Sequence, residues 1–286
     1  MANLKDIRDR IKSVKSIQQV TKAMKLVAAA KMRKAQERME QARPYEENLA
    51  NMISSLISNI DESSSPLFQS KKSKRELLIV VTSDRGMAGA FNANIIRKAE
   101  ERVMLLGKEN IDLFFIGKKG SDHFNSRGYD IVDTYNDFWN DLNFNDAMKF
   151  SSDVINKFLE NDIGKVNVVY NWFRNVAVQE PRFENFLPIA FEKKSNFSND
   201  DQLFEPSKKM IVKSLIPRHL NFQIWKYLLE SYASEQAARM VAMDNATENG
   251  QELIKDLTLD FNKARQAAIT KEMLEIVGGA EALATN

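Results

Sequence analysis

From Leu4 onward, apolar residues recur at steps of three and four: Leu4, Ile7, Ile11, Val14, Ile17, Val20, Met24 and Val27. A period near 3.6 puts such residues on one face of a helix. The stretch to about Ile60 contains no glycine and a single proline, Pro44. After Val14 the stripe drifts, with steps nearer three than 3.6, and Leu26 and Ala28-Ala29-Ala30 add small apolar surface beside it. A helix covered by one partner needs no such drift, so the pattern predicts contact on several sides. Pro44 predicts a kink or break. The pattern resumes at Leu49, Met52, Ile53, Leu56, Ile57 and Ile60 and stops at a Ser- and Lys-rich linker over residues 61–74.

The period changes from residue 75. Glu76–Ser83 (ELLIVVTS) and Ile111–Gly117 (IDLFFIG) are continuous apolar runs of strand length, the pattern of strands covered on both faces. Ile131–Tyr135 and Lys165–Phe173 read as further strands, with helices at Asn92–Leu106 and within FNDAMKFSSDVINKFLEND. Alternating strands and helices predict a Rossmann-like α/β domain over residues 75–204, with a largely parallel sheet. Val176–Ile189 suits an edge or hairpin strand, because Pro181 and Pro188 donate nothing to a ladder. Glu192–Asp201 reads as a polar linker.

Residues 205–286 are helical again, with Pro206 near the start, Pro217 as a kink or start, and Gly278-Gly279 as the stop. Two long amphipathic helices from opposite ends of one chain are most simply satisfied by each other. The reading is an antiparallel coiled coil of residues 1–60 and 205–286 carrying the α/β domain, a rod that needs a partner along its length.

Composition first narrows and then complicates this picture. The 286 residues include no cysteine and two histidines, which excludes disulfides, thiolate metal sites and a cysteine nucleophile. No apolar run is long enough to span a bilayer, and the N-terminus lacks a signal-peptide core; the chain reads as soluble and unexported. The net charge of +2 is a cancellation: residues 1–43 carry +8, residues 44–206 carry −6 and residues 207–286 are neutral.

Chemistry is sparse. Gly86 and Gly89 in TSDRGMAGAFN (Thr82–Asn92) sit between strand and helix, but neither a P-loop nor the three-glycine dinucleotide pattern is present. A tight turn capped by Asp84 or Asn92 is the better reading. Asp84, Asp133, Asp137 and Asp141 lie near strand ends without a matching base or metal set and read as solvated surface. The basic residues of the N-terminal helix, Lys5 to Lys34, suit acidic protein loops or a nucleic-acid backbone. No aromatic residue precedes Tyr45, so base stacking is absent there and nucleic acid is disfavoured.

The most specific segments are IQQVTKAMKLVAAAKMRKAQ (Ile17–Gln36) and Ser234–Leu283, which includes KARQAAIT. Together with TSDRGMAGAFN they closely resemble the gamma subunits of F-type ATP synthases, although Ala88 and Ala90 stand where many members have Cys and Gly. The resemblance implies a rotor shaft whose terminal helices turn inside a ring of alpha and beta subunits. Its α/β body would sit on the membrane c-ring with the epsilon subunit. It implies no catalysis and no cofactor in this chain, a peripheral place on the cytoplasmic face of a bacterial inner membrane, and no direct insertion. Lys22, Met24 and Lys25 resemble positions that face acidic beta loops. Arg265 and Gln266 resemble a polar pair that touches one beta subunit. Ile276 and Val277, with Ile269, Met273 and Leu274, resemble the tip held in an apolar sleeve. Some plastid members carry a regulatory cysteine pair, which a cysteine-free chain lacks. The rival readings are a nucleotide-binding α/β enzyme and a basic nucleic-acid-binding adaptor.

Overall fold

The computed structural model describes residues 4–57, 65–69, 71–189 and 208–284. The elements run α1 (Leu4–Ile57), β1 (Glu76–Val81), α2 (Phe91–Leu106), β2 (Ile111–Ile116), α3 (Lys118–Asn125), β3 (Ile131–Tyr135), α4 (Phe144–Glu160), β4 (Lys165–Phe173), β5 (Gln179–Leu187) and α5 (Lys208–Ala284). They form two compact units: Met1–Val27 with Met240–Asn286, and Ala28–Arg239. Residues 28–57 of α1 and 208–239 of α5 cluster with the α/β elements.

In the smaller unit the two helical segments run antiparallel. Arg8 lies over the Phe261 ring at 5.5 Å, Thr21 Oγ1 is 2.8 Å from Thr247 Oγ1, and Lys25 Nζ is 2.6 Å from Asp244. The regular set of covered positions in α1 is Leu4, Ile7, Ile11, Val14, Gln18, Thr21 and Lys25, with Met24 beside it, and in α5 it is Met243, Thr247, Gly250, Ile254, Leu257, Phe261, Ala264 and Ala268, with Ala242, Asp244 and Ala246 beside it. Both alternate steps of three and four, the spacing of a coiled-coil seam. After Val14 the seam and the drifting apolar stripe part. The seam continues through Gln18, Thr21 and Lys25, while Ile17, Val20, Leu26 and Val27 stand 60, 55, 65 and 57% exposed.

In the larger unit the sheet order is β3-β2-β1-β4-β5; all pairings are parallel except the β4–β5 edge. Pro181 lies in that edge strand, where a missing donor costs least. Side chains of β1 alternate between two cores. Leu77, Ile79 and Val81 face a cluster with Phe150, Val154 and Phe158 of α4, Leu220 and Leu228 of α5, and Leu49 and Ile53 of α1. Leu78 and Val80 face Ile95, Ala99 and Val103 of α2 with Phe124 of α3. Strands covered on both faces explain the unbroken apolar runs in the sequence.

Neither proline nor the glycine pair ends its helix. Pro44 lies inside α1 and Pro217 inside α5, and both are exposed, so each ring crowds solvent-side turns while the opposite face stays packed. Gly278-Gly279 does not end α5, which runs to Ala284; each glycine costs only about 1 kcal/mol against Ala. The expected helix end at Ile60, the Glu192–Asp201 linker and the Glu205-Pro206 start lie outside the described residues.

Candidate functional site

The Thr82–Asn92 segment is a closed turn. Ser83 N–H donates to Asn92 Oδ1 at 3.0 Å, and the two side chains bond each other. The Asp84 carboxylate accepts from Lys118 N–H and Asp137 N–H, both at 2.9 Å, tying the ends of β1, β2 and β3 together. Neither Asp84 nor Asn92 caps α2: its N-cap is Ala90, with no side-chain bond, which corrects the expected cap. Gly117 makes this junction possible. Its φ is +99°, and a Cβ there would meet Thr82 O at 2.0 Å. Arg239 Nη2 donates to Gly86 O at 3.2 Å, and Asn171 Nδ2 donates to Phe91 O at 3.3 Å, so α5 and β4 hold both ends of the turn. A carboxylate engaged by two amides makes this segment a joint of the fold and a poor cradle for phosphate.

The other aspartates do not converge. Asp133 Oδ1 accepts from its neighbour Thr134 and Oδ2 lies 3.4 Å from Lys157, while Asp137 has a φ of +65° at a turn. No three His, Asp or Glu side chains among the described residues form a metal-sized group.

The sequence-derived contact residues fall in three zones along the smaller unit. Lys22 is exposed, Met24 is half-buried, and Lys25 shares its ammonium with Asp244. With Gln18, Leu26 and Thr247 these lysines line an open groove of about 450 Å³. Arg265 and Gln266 are exposed. At ~1.5 Å per residue they lie roughly 30 Å along α5 from Asp244. Ile276 and Val277, 71 and 59% exposed, continue an apolar end with Met273 and Leu274. The outward face of α1 thus alternates cations with Ile17, Val20, Leu26 and Val27, a mixture that suits packing against protein better than free solvent.

Sequence reasoning missed a buried polar cluster in the larger unit. Lys226 Nζ meets Glu46 at 3.0 Å, and Tyr170 OH donates to Glu184 at 2.7 Å. Burial pushes the Glu230 carboxyl up to about 7, opposed by Lys226 and reinforced by Glu184. Burial, with Lys226 nearby, pushes His219 down to about 4. Glu230 and Lys226 sit four apart on α5, a spacing visible in the sequence; the carboxylates of α1 and β5 that surround them are not.

The family profile described as ATP synthase matches residues 3–283. The chain is 46% identical over 300 residues to the ATP synthase gamma chain of Chloroherpeton thalassium, and 48% identical over 293 residues to that of Cytophaga hutchinsonii; each alignment covers 99% of both chains. Among solved structures, a chain of the Tetrahymena thermophila mitochondrial ATP synthase central stalk and c-ring aligns with a TM-score of 0.61 at 25% identity, covering 79% of this chain and 99% of its own. A chain of the Euglena gracilis mitochondrial ATP synthase shares the fold, with a TM-score of 0.70 at 22% identity, over 98% of this chain and 94% of its own.

Proposed function

Because the chain belongs to the ATP synthase gamma-chain family, we propose that it works as the central shaft coupling ion flow to ATP synthesis, with the paired terminal segments turning inside the catalytic head. As a gamma subunit of an F-type ATP synthase it is a non-catalytic stalk component of a membrane-bound complex. No described helix is long and apolar enough to cross a membrane, consistent with peripheral association.

The observation that carries the reading is the outward face of α1. A coiled coil that buries Thr21 and half-covers Gln18 and Lys25 while exposing Ile17, Val20, Leu26 and Val27 has apolar surface left for another protein. Lys22 and Met24, with whatever Lys25 spares from Asp244, would meet acidic loops of beta subunits. Arg265 and Gln266 would touch one beta subunit, and the Ile276–Val277 end would seat in an apolar sleeve of the head. The α/β body would meet epsilon and the c-ring on the cytoplasmic face of a bacterial inner membrane. An asymmetric shaft touches three chemically identical sites differently, so it favours a different conformation in each, and rotation exchanges those preferences.

Co-expression with the alpha and beta subunits of the same organism tests the reading. One copy of this chain per hexamer, with ATP hydrolysis confined to the assembly, is the expected result. A chain that stays out of the hexamer, or that binds ATP or NAD saturably alone, contradicts it.

A further inference from the structure

In the larger unit, carboxylates from three elements meet two cations. Glu46 of α1 takes the Lys226 ammonium of α5 at 3.0 Å. Glu184 of β5 accepts the Tyr170 hydroxyl of β4 at 2.7 Å and also bonds the Tyr227 hydroxyl, whose ring packs against Tyr170 with centroids 4.6 Å apart. The second cation, Arg182 of β5, lies over the Trp172 ring at 3.5 Å. Glu230 follows Lys226 by one turn of α5 and is 8% exposed, and its Oε2 is buried with no hydrogen-bond donor among the described residues. A buried carboxylate oxygen that accepts nothing is costly when ionised. With all three carboxylates ionised, the group holds one negative charge more than Lys226 and Arg182 cancel; with Glu230 protonated, it is balanced. A proton fits this role better than a metal ion, because no three His, Asp or Glu side chains among the described residues form a metal-sized group.

We propose that Glu230 is a proton-operated latch between α5 and α1: neutral, it leaves Lys226 to Glu46, and ionised, it draws Lys226 away and frees the α1 segment around Glu46. On ionisation the proton passes to solvent, and the new carboxylate competes for the ammonium one turn away on its own helix, at the spacing that brings such side chains together. Glu184 stays held by two tyrosine hydroxyls and repels the new charge, so the Lys226–Glu46 bridge is the bond that yields. The other titratable groups keep one charge state near neutrality. Burial and the surrounding carboxylates push Tyr170 and Tyr227 up. Burial alone would lower Lys226, but Glu46, Glu230 and Glu184 outweigh it and keep it an ammonium. Burial, with Lys226 nearby, holds His219 neutral down to about 4. The burial that raises Glu230 to about 7 puts its ionisation near neutral pH. The latch belongs to the fold of the larger unit and stands whether or not the chain turns inside a catalytic head.

The test uses the full chain labelled with ¹³C at the glutamate carboxyl carbons, in which Glu230→Gln identifies the Glu230 resonance. That resonance should titrate with a midpoint near 7. Amide hydrogen exchange, corrected for its intrinsic pH dependence, should accelerate about fivefold or more between pH 6 and 8 in peptides covering residues 42–50, and should not accelerate in Glu230→Gln. Glu46→Gln, at a half-buried position, is the second variant. It releases Lys226 at every pH, so the Glu230 midpoint should fall and the exchange of residues 42–50 should lose its pH step. A Glu230 midpoint near 4.5, equal pH steps in wild type and Glu230→Gln, or a midpoint unmoved by Glu46→Gln overturns the latch.

Discussion

Lys25 Nζ lies 2.6 Å from Asp244 Oδ1 at a seam position of the antiparallel pair, with the two side chains 37 and 43% exposed. An ion pair here fixes which turn of α1 faces which turn of α5, a register role for which polar seam residues are suited. Its stabilisation is small, because solvent screens a pair this open. Asp244→Asn is expected to lower the unfolding free energy of the full chain by less than about 1 kcal/mol in urea titration, and by less still at high salt. A loss of several kcal/mol would mean that the pair is far better shielded than its exposure indicates.

Replacing Arg265 and Gln266 together with Ala should impair coupling or assembly while the chain stays folded, since both side chains are exposed. Reversing Lys22 to Glu should likewise weaken association with acidic loops, most at low ionic strength. Complex yield and ATP-driven proton pumping in membrane vesicles measure both. Wild-type values in both assays would return these residues to solvated surface.

The buried cluster around Glu230 predicts two opposed pH-dependent contributions to stability. Burial raises the Glu230 carboxyl from 4.5 to about 7, with Lys226 and Arg182 opposing the shift and Glu184 and Glu46 adding to it. A raised folded-state value contributes stability that is complete below the unfolded value and is lost as pH climbs through 7. His219 is lowered from 6.5 to about 4, so its contribution is present above 6.5 and is lost as pH falls toward 4. Over about pH 4.5 to 6.5 the two slopes oppose each other, so Glu230→Gln should leave the His219 contribution unopposed, with stability rising by on the order of 3 kcal/mol as pH climbs from about 4 to 6.5. Urea titrations at a series of pH values would show an unchanged slope if Glu230 were not the titrating group.

Glu76, 4% exposed at its side chain, is held by Arg102 Nε at 3.0 Å and Nη2 at 2.5 Å, and Arg102 in turn lies over the Phe183 ring. Removing one partner leaves a buried charge unpaired. Arg102→Met should destabilise the chain by about 3 kcal/mol, and Glu76→Gln in that background should recover part of the loss. Thermal or urea unfolding checks both, and strictly additive effects would exclude the coupling.

Much of the α/β unit is legible in the sequence because its strands are buried on both faces, so β1 and β2 appear as near-continuous apolar runs, and Pro181 marks the edge. The helix α3, KKGSDHFN, is not, since six polar residues, a glycine and a single phenylalanine carry no period. The seam of the smaller unit misleads for a sharper reason. Ile17 and Val20 have helical spacing but stand one position before Gln18 and Thr21, which face the partner helix. An apolar period reveals that a face is covered without revealing whether the cover belongs to the same chain. The contact residues themselves stand out only through the resemblance of their segments to gamma subunits.

The central claim is rotation driven by nucleotide chemistry in other chains. The cysteine-free sequence allows a unique handle, Met104→Cys, at a side chain 78% exposed in the α/β unit. With the hexamer immobilised and a bead on that cysteine, addition of ATP should turn the bead in one direction, in three equal steps per revolution. Full ATP hydrolysis by the assembled complex with a stationary bead would contradict the account.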